Sequence, residues 1–169
     1  MVESLEQFLE QVARRGSWVG GGSVAACGAA LSAALLEKLI LRPPLARRLR
    51  HIRQDCLRLI QQDAQTFARV IQATRAKNRQ AFVHVLKRAT EVPCRVFEHA
   101  HAIQTACQRA RRTIKPRFQS DLRCALAFAV AAGQSADALI QTNLAWLDDH
   151  AYTQTVRRRL RAATQSHGR

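Results

Sequence analysis

The chain has 169 residues, of which 47% are hydrophobic and only 5% aromatic, and its 27 Lys and Arg against 12 Asp and Glu give a net charge of +15. This length and apolar content suit one domain with a sizeable core that needs neither disulfides nor a metal to hold it together. The longest apolar stretch, residues 24–36, is too short to span a bilayer, and the acidic N-terminal segment does not resemble a signal peptide. We therefore expect a cytoplasmic protein.

The positive charge is unevenly distributed along the chain. Residues 1–40 carry three basic and four acidic side chains, a net charge of −1, so the remainder carries +16. A basic surface of this kind attracts nucleic acid or another polyanion. Codon bias in a GC-rich genome would produce the same excess of arginine without a functional role.

The five cysteines do not form a recognisable metal or disulfide pattern. They are odd in number and widely spaced, with no Cys-x-x-Cys pair and no spacing typical of a zinc site. Most fall on apolar helix faces, where a free cysteine behaves as a small hydrophobic residue. We therefore expect most of them in the core and predict no metal site.

Apolar residues recur at intervals of three and four, and no strand-like alternation appears anywhere in the sequence. In chain order, this periodicity and the Gly and Pro positions predict helices over 1–15, from an N-cap at Ser23 to about 41, and over 45–75, 78–111, 120–150 and 152–163. Pro93 should kink or divide the fourth helix. Short connections favour an up-and-down antiparallel bundle, a single all-α domain over 1–169 with a disordered tail after about 164.

The second helix is preceded by the turn Gly20-Gly21-Gly22-Ser23. Bare backbone N–H groups at the positive end of a helix form a ready site for an anion or a carbonyl oxygen. The turn is not a Walker loop, because no Gly-Lys-Ser/Thr follows it, and no strand precedes it as a dinucleotide-binding fingerprint requires. By itself it is weak evidence of function.

Asp63 is the one charged residue on an otherwise apolar stripe of the third helix. The stripe consists of Leu45, Leu49, Ile52, Cys56, Leu59, Asp63, Phe67 and Val70. Burial disfavours the charged form of a carboxyl and raises its pKa, as an acid acting near neutral pH requires. The alternatives are a stripe misjudged by one position and a buried ion pair with one of the many arginines.

The other polar residues on the predicted helices are weaker evidence of a functional site than Asp63. Asn143 interrupts the apolar stripe of the fifth helix, where it either fixes the register of the bundle or holds a polar ligand. Asp121 follows Ser120 at a predicted helix start, where capping and favourable interaction with the helix dipole are sufficient explanations. His99 and His101 lie two residues apart, and hence on different helix faces, so we interpret them as surface residues.

Five short blocks together resemble the cyclodeaminase/cyclohydrolase family, which includes the C-terminal domain of formiminotransferase-cyclodeaminase and bacterial methenyltetrahydrofolate cyclohydrolases. The blocks are Ser4-Leu5-Glu6-Gln7-Phe8-Leu9 with Gly20-Gly21-Gly22-Ser23-Val24-Ala25-Ala26, Asp63-Ala64-Gln65-Thr66-Phe67, Ala89-Thr90-Glu91-Val92-Pro93, Ser120-Asp121-Leu122 and Asn143-Leu144. They occur in the family's order and cover nearly the whole chain.

The resemblance implies an all-helical homodimer with folate sites at or near the subunit interface. Its members convert formiminotetrahydrofolate to methenyltetrahydrofolate with loss of ammonia, or interconvert the methenyl and 10-formyl derivatives. By position it implies a catalytic Asp63, no metal, and a tetrahydrofolate derivative bound by Gly20, Gly21, Gly22, Ser23, Asp121 and Asn143. Cyclohydrolase is slightly favoured, because no formiminotransferase domain is attached.

The alternative is a catalytically degenerate basic dimer that binds RNA or a protein partner. Arginine-rich segments at 109–112 and 157–161 favour this alternative. The scarcity of aromatic residues for stacking and the lack of a known nucleic-acid-binding motif argue against it. Nucleic-acid binding is therefore not favoured, and no membrane association is expected.

Overall fold

The computed structural model describes residues 4–165 and contains no β-strand in that range, which confirms the predicted all-α class. Six helices follow one another: α1 (Leu5–Ala13), α2 (Gly21–Leu39), α3 (Pro43–Arg75), α4 (Arg79–Ala110), α5 (Gln119–Leu147) and α6 (His150–Gln165). A 3₁₀ turn, Pro116–Phe118, precedes α5. The predicted disordered tail falls almost entirely on residues outside the described range, as do the first three residues of the predicted first helix.

Helices α2 to α5 form an antiparallel bundle. Each of α2 and α4 packs against both α3 and α5, and α6 packs against α4. Contacts along α2 fix its direction relative to α5: Lys38 near the end of α2 meets Asp121 at the start of α5, and Gly21 at the start of α2 meets Leu139. The start of α2 and the end of α5 therefore lie at one end of the bundle.

Small residues let α2 and α5 approach closely. Ala26, Ala29, Ala125 and Ala129 on the two helices are fully buried, and a Cβ added at Gly28 of α2 would lie 3.8 Å from the Cβ of Ala132 on α5. The Ser32 hydroxyl is also buried, and it donates a hydrogen bond of 2.6 Å to the carbonyl oxygen of Ala125 on α5. The many small residues of α2 are thus explained by its close packing against α5.

The observed helices differ from the prediction on both α3 and α4. On α3 the buried side chain is Thr66, while Phe67 is 40% exposed. The buried stripe continues at Val70 as predicted: steps of three and four alternate through Asp63, Thr66 and Val70, whereas the prediction took two successive steps of four to reach Phe67. On α4 the helix runs unbroken through Pro93, so of the two predicted effects of this proline, a kink or a division, the division does not occur.

Three of the five cysteines, Cys56, Cys94 and Cys107, are buried as expected, and burial raises the pKa of each thiol. Cys27 is half-buried and Cys124 is exposed. Within residues 4–165 no group of three or more His, Cys, Asp and Glu side chains is arranged to hold a metal ion.

Two segments, Gly21–Leu39 and Pro116–Leu147, are long and apolar enough to cross a membrane when judged by length and composition alone. The core helices of soluble proteins pass the same test, and 56% of the apolar window in Gly21–Leu39 is buried inside the bundle. These helices are therefore weak evidence for a membrane span.

Candidate functional site

The glycine turn leads directly into α2. The helix begins at Gly21, and Gly20 is its N-cap residue. The prediction that Ser23 caps this helix was therefore wrong, because Ser23 lies inside the first turn and is fully buried. Gly20 has no side chain with which to accept a hydrogen bond from the free N–H groups of that turn.

Asp63 on α3 provides the missing acceptor. Its Oδ2 accepts hydrogen bonds from the Ser23 backbone N–H (2.8 Å) and from the Ser23 hydroxyl (2.9 Å). The Ser23 Oγ also lies 3.1 Å from the carbonyl oxygen of Ile60. The carboxylate of Asp63 thus caps α2 from a neighbouring helix, and Ser23 fixes its orientation.

Of the three glycines, only Gly22 lies where the surrounding atoms leave no room for a side chain. A Cβ added at Gly22 would overlap the Asp63 carboxylate and would lie 2.5 Å from its Cγ. A Cβ at Gly21 would make an ordinary contact of 3.6 Å with Leu139, and a Cβ at Gly20 would meet no atom within 4 Å. Gly22 therefore lets the carboxylate sit directly against the start of α2.

The electrostatic environment of Asp63 is that of a carboxyl that can hold a proton. Burial raises its pKa above the ordinary value of 3.8, and the two hydrogen bonds from Ser23 oppose that increase. Among the described residues, no basic side chain forms an ion pair with Asp63. The structure therefore does not support the alternative of a buried ion pair with an arginine.

Two exposed aromatic rings, those of Trp18 and Phe67, contact each other one helical turn along α3 from Asp63. Phe67 is one helical turn after Asp63, and its ring meets that of Trp18 edge to face at a centroid distance of 6.4 Å. Trp18 also lines an open cavity of about 450 Å³ together with Val19 and Ala64. Trp18 was not among the residues predicted from sequence, although an aromatic residue next to a glycine turn is notable in a chain with so few aromatics.

Asn143 lies at the same end of the bundle. It is one helical turn beyond Leu139, which contacts Gly21, and it shares the face of α5 on which Leu139 lies. Its side chain is half-buried and makes no hydrogen bond to any residue in the range 4–165. It is therefore available to a ligand at this end, while Leu144 takes the core position.

Asp121 is not part of this cluster within one protomer. It forms an ion pair with Lys38 at a distance of 3.6 Å. Lys38 follows Ser23 by 15 residues along α2, which corresponds to about 22 Å of helix rise. The chain thus brings Gly20, Gly21, Gly22, Ser23, Asp63 and Asn143 to one end, and Asp121 to the other.

A second carboxylate, Asp55, was missed by the sequence analysis. It is 8% exposed, and it accepts hydrogen bonds from Arg95 (2.6 Å) and Arg58 (3.0 Å). The Nε2 of His99 lies 2.6 Å from its Oδ2, so the interpretation of His99 as a mere surface residue was wrong. This cluster joins α3 to α4, and its carboxylate is fully committed to basic partners.

The structure resembles a solved protein over nearly its whole length. That protein is a formiminotetrahydrofolate cyclodeaminase from Thermotoga maritima, with a TM-score of 0.88 at 20% sequence identity, over 97% of this chain and 89% of the other. At this identity the likeness establishes the fold alone. No curated protein sequence matches the chain. The sequence itself matches the formiminotransferase-cyclodeaminase family over residues 4–41 and 43–162, and the chain therefore belongs to that family.

Proposed function

We propose that this protein acts on the one-carbon bridge of a tetrahydrofolate derivative, as a methenyltetrahydrofolate cyclohydrolase or a formiminotetrahydrofolate cyclodeaminase, with Asp63 as its catalytic acid or base. The observation that carries the proposal is a carboxyl of raised pKa, free of ion pairs with described residues and held by Ser23 at the start of α2. Family membership supplies the substrate class.

Both reactions need one group that exchanges a proton. In ring closure, a folate nitrogen attacks the formimino carbon, and ammonia leaves after its nitrogen accepts a proton from an acid. In hydrolysis, water attacks the methenyl carbon while a base takes its proton, and the opened bridge becomes a formyl group. A single carboxyl with a raised pKa can take either role.

The contacts of Ser23 suit both protonation states of Asp63. When Asp63 is ionised, the Ser23 hydroxyl donates to it. When Asp63 carries a proton, that proton can be donated to Ser23 Oγ while the hydroxyl donates to the carbonyl oxygen of Ile60, 3.1 Å away. Ser23 and Gly22 are buried, so we assign them to positioning the carboxyl, whereas exposed Gly20 and Gly21 and half-buried Asn143 are proposed to contact the substrate.

The test is turnover by the purified chain. Decay of the absorbance of methenyltetrahydrofolate and conversion of formiminotetrahydrofolate would be followed for the wild type, Asp63→Asn and Asp137→Asn. An amide keeps the acceptor that caps α2 but cannot exchange the proton, so we expect Asp63→Asn to lose at least about 100-fold in kcat with little change in Tm. Asp137 is the matched control and should retain activity, because its side chain accepts a hydrogen bond from Gln141 and pairs with no basic residue within 4–165.

Two results would contradict the proposal. One is the absence of turnover of both substrates together with no protection of the wild type by folates against thermal unfolding. The other is an unchanged kcat in Asp63→Asn. Binding of RNA that weakens steeply with salt in the same preparation would favour the alternative of a basic, non-catalytic protein.

We also propose that the protein is a homodimer joined through α2 and α5. Residues 21–36 of α2 contain no charged side chain, and residues 124–147 of α5 contain only Asp137, although the whole chain carries +15. Val24, Leu31 and Phe128 on these helices are 45%, 52% and 43% exposed. An exposed apolar surface of this kind is typical of a subunit interface.

A two-fold axis perpendicular to these helices would explain the position of Asp121. The partner's helices would then run antiparallel to α2, and the partner's Asp121 would lie near Asp63 across the interface. Within one protomer, Asp63 and Asp121 lie at opposite ends of α2, about 22 Å apart along the rise of that helix. A site shared between subunits would bring Asp63 of one subunit close to Asp121 of the partner subunit.

A charge placed on the uncharged face should separate the subunits. We expect the wild type to have about twice the 18.9 kDa mass of one chain in light scattering, and Leu31→Glu and Phe128→Glu to have the mass of one chain. Leu57→Glu, on α3 and 45% exposed, is the matched control and should remain dimeric. A monomeric wild type would contradict the proposed interface.

A further inference from the structure

A larger cavity opens at the end of the bundle opposite Asp63, where the α2–α3 and α4–α5 connections meet. Its volume is about 630 Å³, within the range that small-molecule sites occupy. The floor is apolar and is formed by α3, α4 and the 3₁₀ turn, with Leu49, Ile52, Ala106 and Phe118 among its residues. A ligand with an apolar body would be well matched to this floor.

The rim of the cavity is entirely basic. Six of the lining residues are Lys or Arg, and none is Asp or Glu. Within residues 4–165, the rim residues Arg42, Arg48 and Lys115 form no ion pair. Arginines elsewhere on α3, such as Arg50 and Arg53, are paired with Glu37. Lys38 is paired with Asp121, but Arg42, Arg48 and Lys115 leave the rim with positive charge that no described acidic side chain neutralises.

We propose that this cavity is a second binding site, separate from the Asp63 site, for an organic acid whose apolar body fills the cavity and whose anionic group meets the basic rim. Charge complementarity selects an anion over a neutral molecule of the same shape, because an oxyanion gains charge-assisted hydrogen bonds from the rim. An acyl carboxylate and an aryl sulfonate or carboxylate share this chemistry. The inference is independent of the proposed activity.

Binding would be measured with 8-anilinonaphthalene-1-sulfonate as a fluorescent aryl probe. Dodecanoate would serve as an acyl competitor and dodecanol as its neutral counterpart. We expect one saturable probe site per chain, displaced by dodecanoate at concentrations at least about tenfold lower than by dodecanol. The probe should bind Asp63→Asn as tightly as the wild type, because the cavity lies between α3 and α4, away from the proposed α2–α5 interface, and at the opposite end of its own protomer from Asp63.

Substitutions at residues lining the cavity test whether the probe binds there. Arg42→Glu and Arg48→Glu reverse exposed rim charges and should each weaken probe binding at least about tenfold. Thr105→Trp, at a half-buried lining position, should fill the cavity and abolish binding. Arg69→Glu makes the same charge change at an exposed position of α3 outside the cavity, and is the matched control with unchanged affinity.

Three outcomes would overturn the proposal. The first is probe binding that none of the cavity variants changes, which would place the probe on another apolar surface. The second is equal displacement by dodecanol and dodecanoate. The third is competitive displacement of the probe by a tetrahydrofolate derivative, which would make the cavity part of the one-carbon site.

Discussion

Replacing Gly22 with alanine is expected to destabilise the fold by about 3 kcal/mol, because the added methyl group overlaps the Asp63 carboxylate. Either the carboxylate or the first turn of α2 must move, and both movements break the hydrogen bonds from Ser23. Overpacking of this kind costs about 1–3 kcal/mol, and the loss of a helix cap adds about 1 kcal/mol. Catalysis should be lost as well, since Asp63 is displaced from its position.

Gly21→Ala is the matched control. It makes the same chemical change one residue earlier, where the new Cβ meets only a flexible Leu139 side chain at 3.6 Å. We expect its free energy of unfolding in urea to stay within about 0.5 kcal/mol of the wild type. Stability is the readout, because exposed Gly21 is also proposed to contact the substrate.

A double-mutant cycle tests the assigned cause. If the cost of Gly22→Ala comes from the carboxylate, it should shrink by more than half in a protein that already carries Asp63→Ala. Equal costs in both backgrounds would mean that Gly22 is needed for the backbone of the turn and not for the approach of Asp63.

Most of the fold could be predicted from sequence because the signals are local. Prolines, glycines and apolar periodicity all point to the same helices, and the structure confirms each of the six. The errors arise where a local rule meets tertiary packing. Phe67 was predicted in the core because a step of four was assigned after Asp63, where the packed stripe takes a step of three to Thr66. Ser23 lies inside the helix because Asp63 takes over the capping role.

Candidate residues for the site stand out in the sequence, but their assembly does not. Asp63 was conspicuous as a lone charge on an apolar stripe, and Ser23 as the end of the glycine turn. Ser23 and Asp63 are 40 residues apart in the sequence, so the apolar periodicity within one helix cannot reveal their contact. The same limit explains His99, whose partner Asp55 is 44 residues away in a chain where many arginines compete for each carboxylate.

Removing the carboxylate of Asp55 should cost about 2–3 kcal/mol of stability at neutral pH. Alanine at this position leaves Arg95 and His99 facing each other without the anion that lies between them. Breaking a buried ion pair costs about 3–5 kcal/mol, but the side chains of Arg58 and Arg95 are 71% and 41% exposed, so solvent reduces the loss. Asp137→Ala, which removes a carboxylate that no described basic residue pairs with, should cost less than about 0.5 kcal/mol.

The pH dependence of stability tests whether the charge of Asp55 causes this stabilisation. Burial acts to raise the pKa of Asp55, but its hydrogen bonds from His99, Arg58 and Arg95 outweigh burial and hold the pKa below the ordinary 3.8. Because the pKa of Asp55 is lower in the folded protein than in the unfolded chain, its charge stabilises the fold fully above about pH 3.8. That stabilisation is lost as the pH falls through the pKa of Asp55 in the folded protein.

The difference in urea stability between the wild type and Asp55→Asn should therefore be constant at neutral pH and should shrink below about pH 3.8. Asparagine preserves the shape and one acceptor, so this comparison isolates the charge from the packing. A difference that persists undiminished in acid would show that Asp55 holds α3 to α4 through its shape and hydrogen bonds, and that the arginines around it contribute no net electrostatic stabilisation.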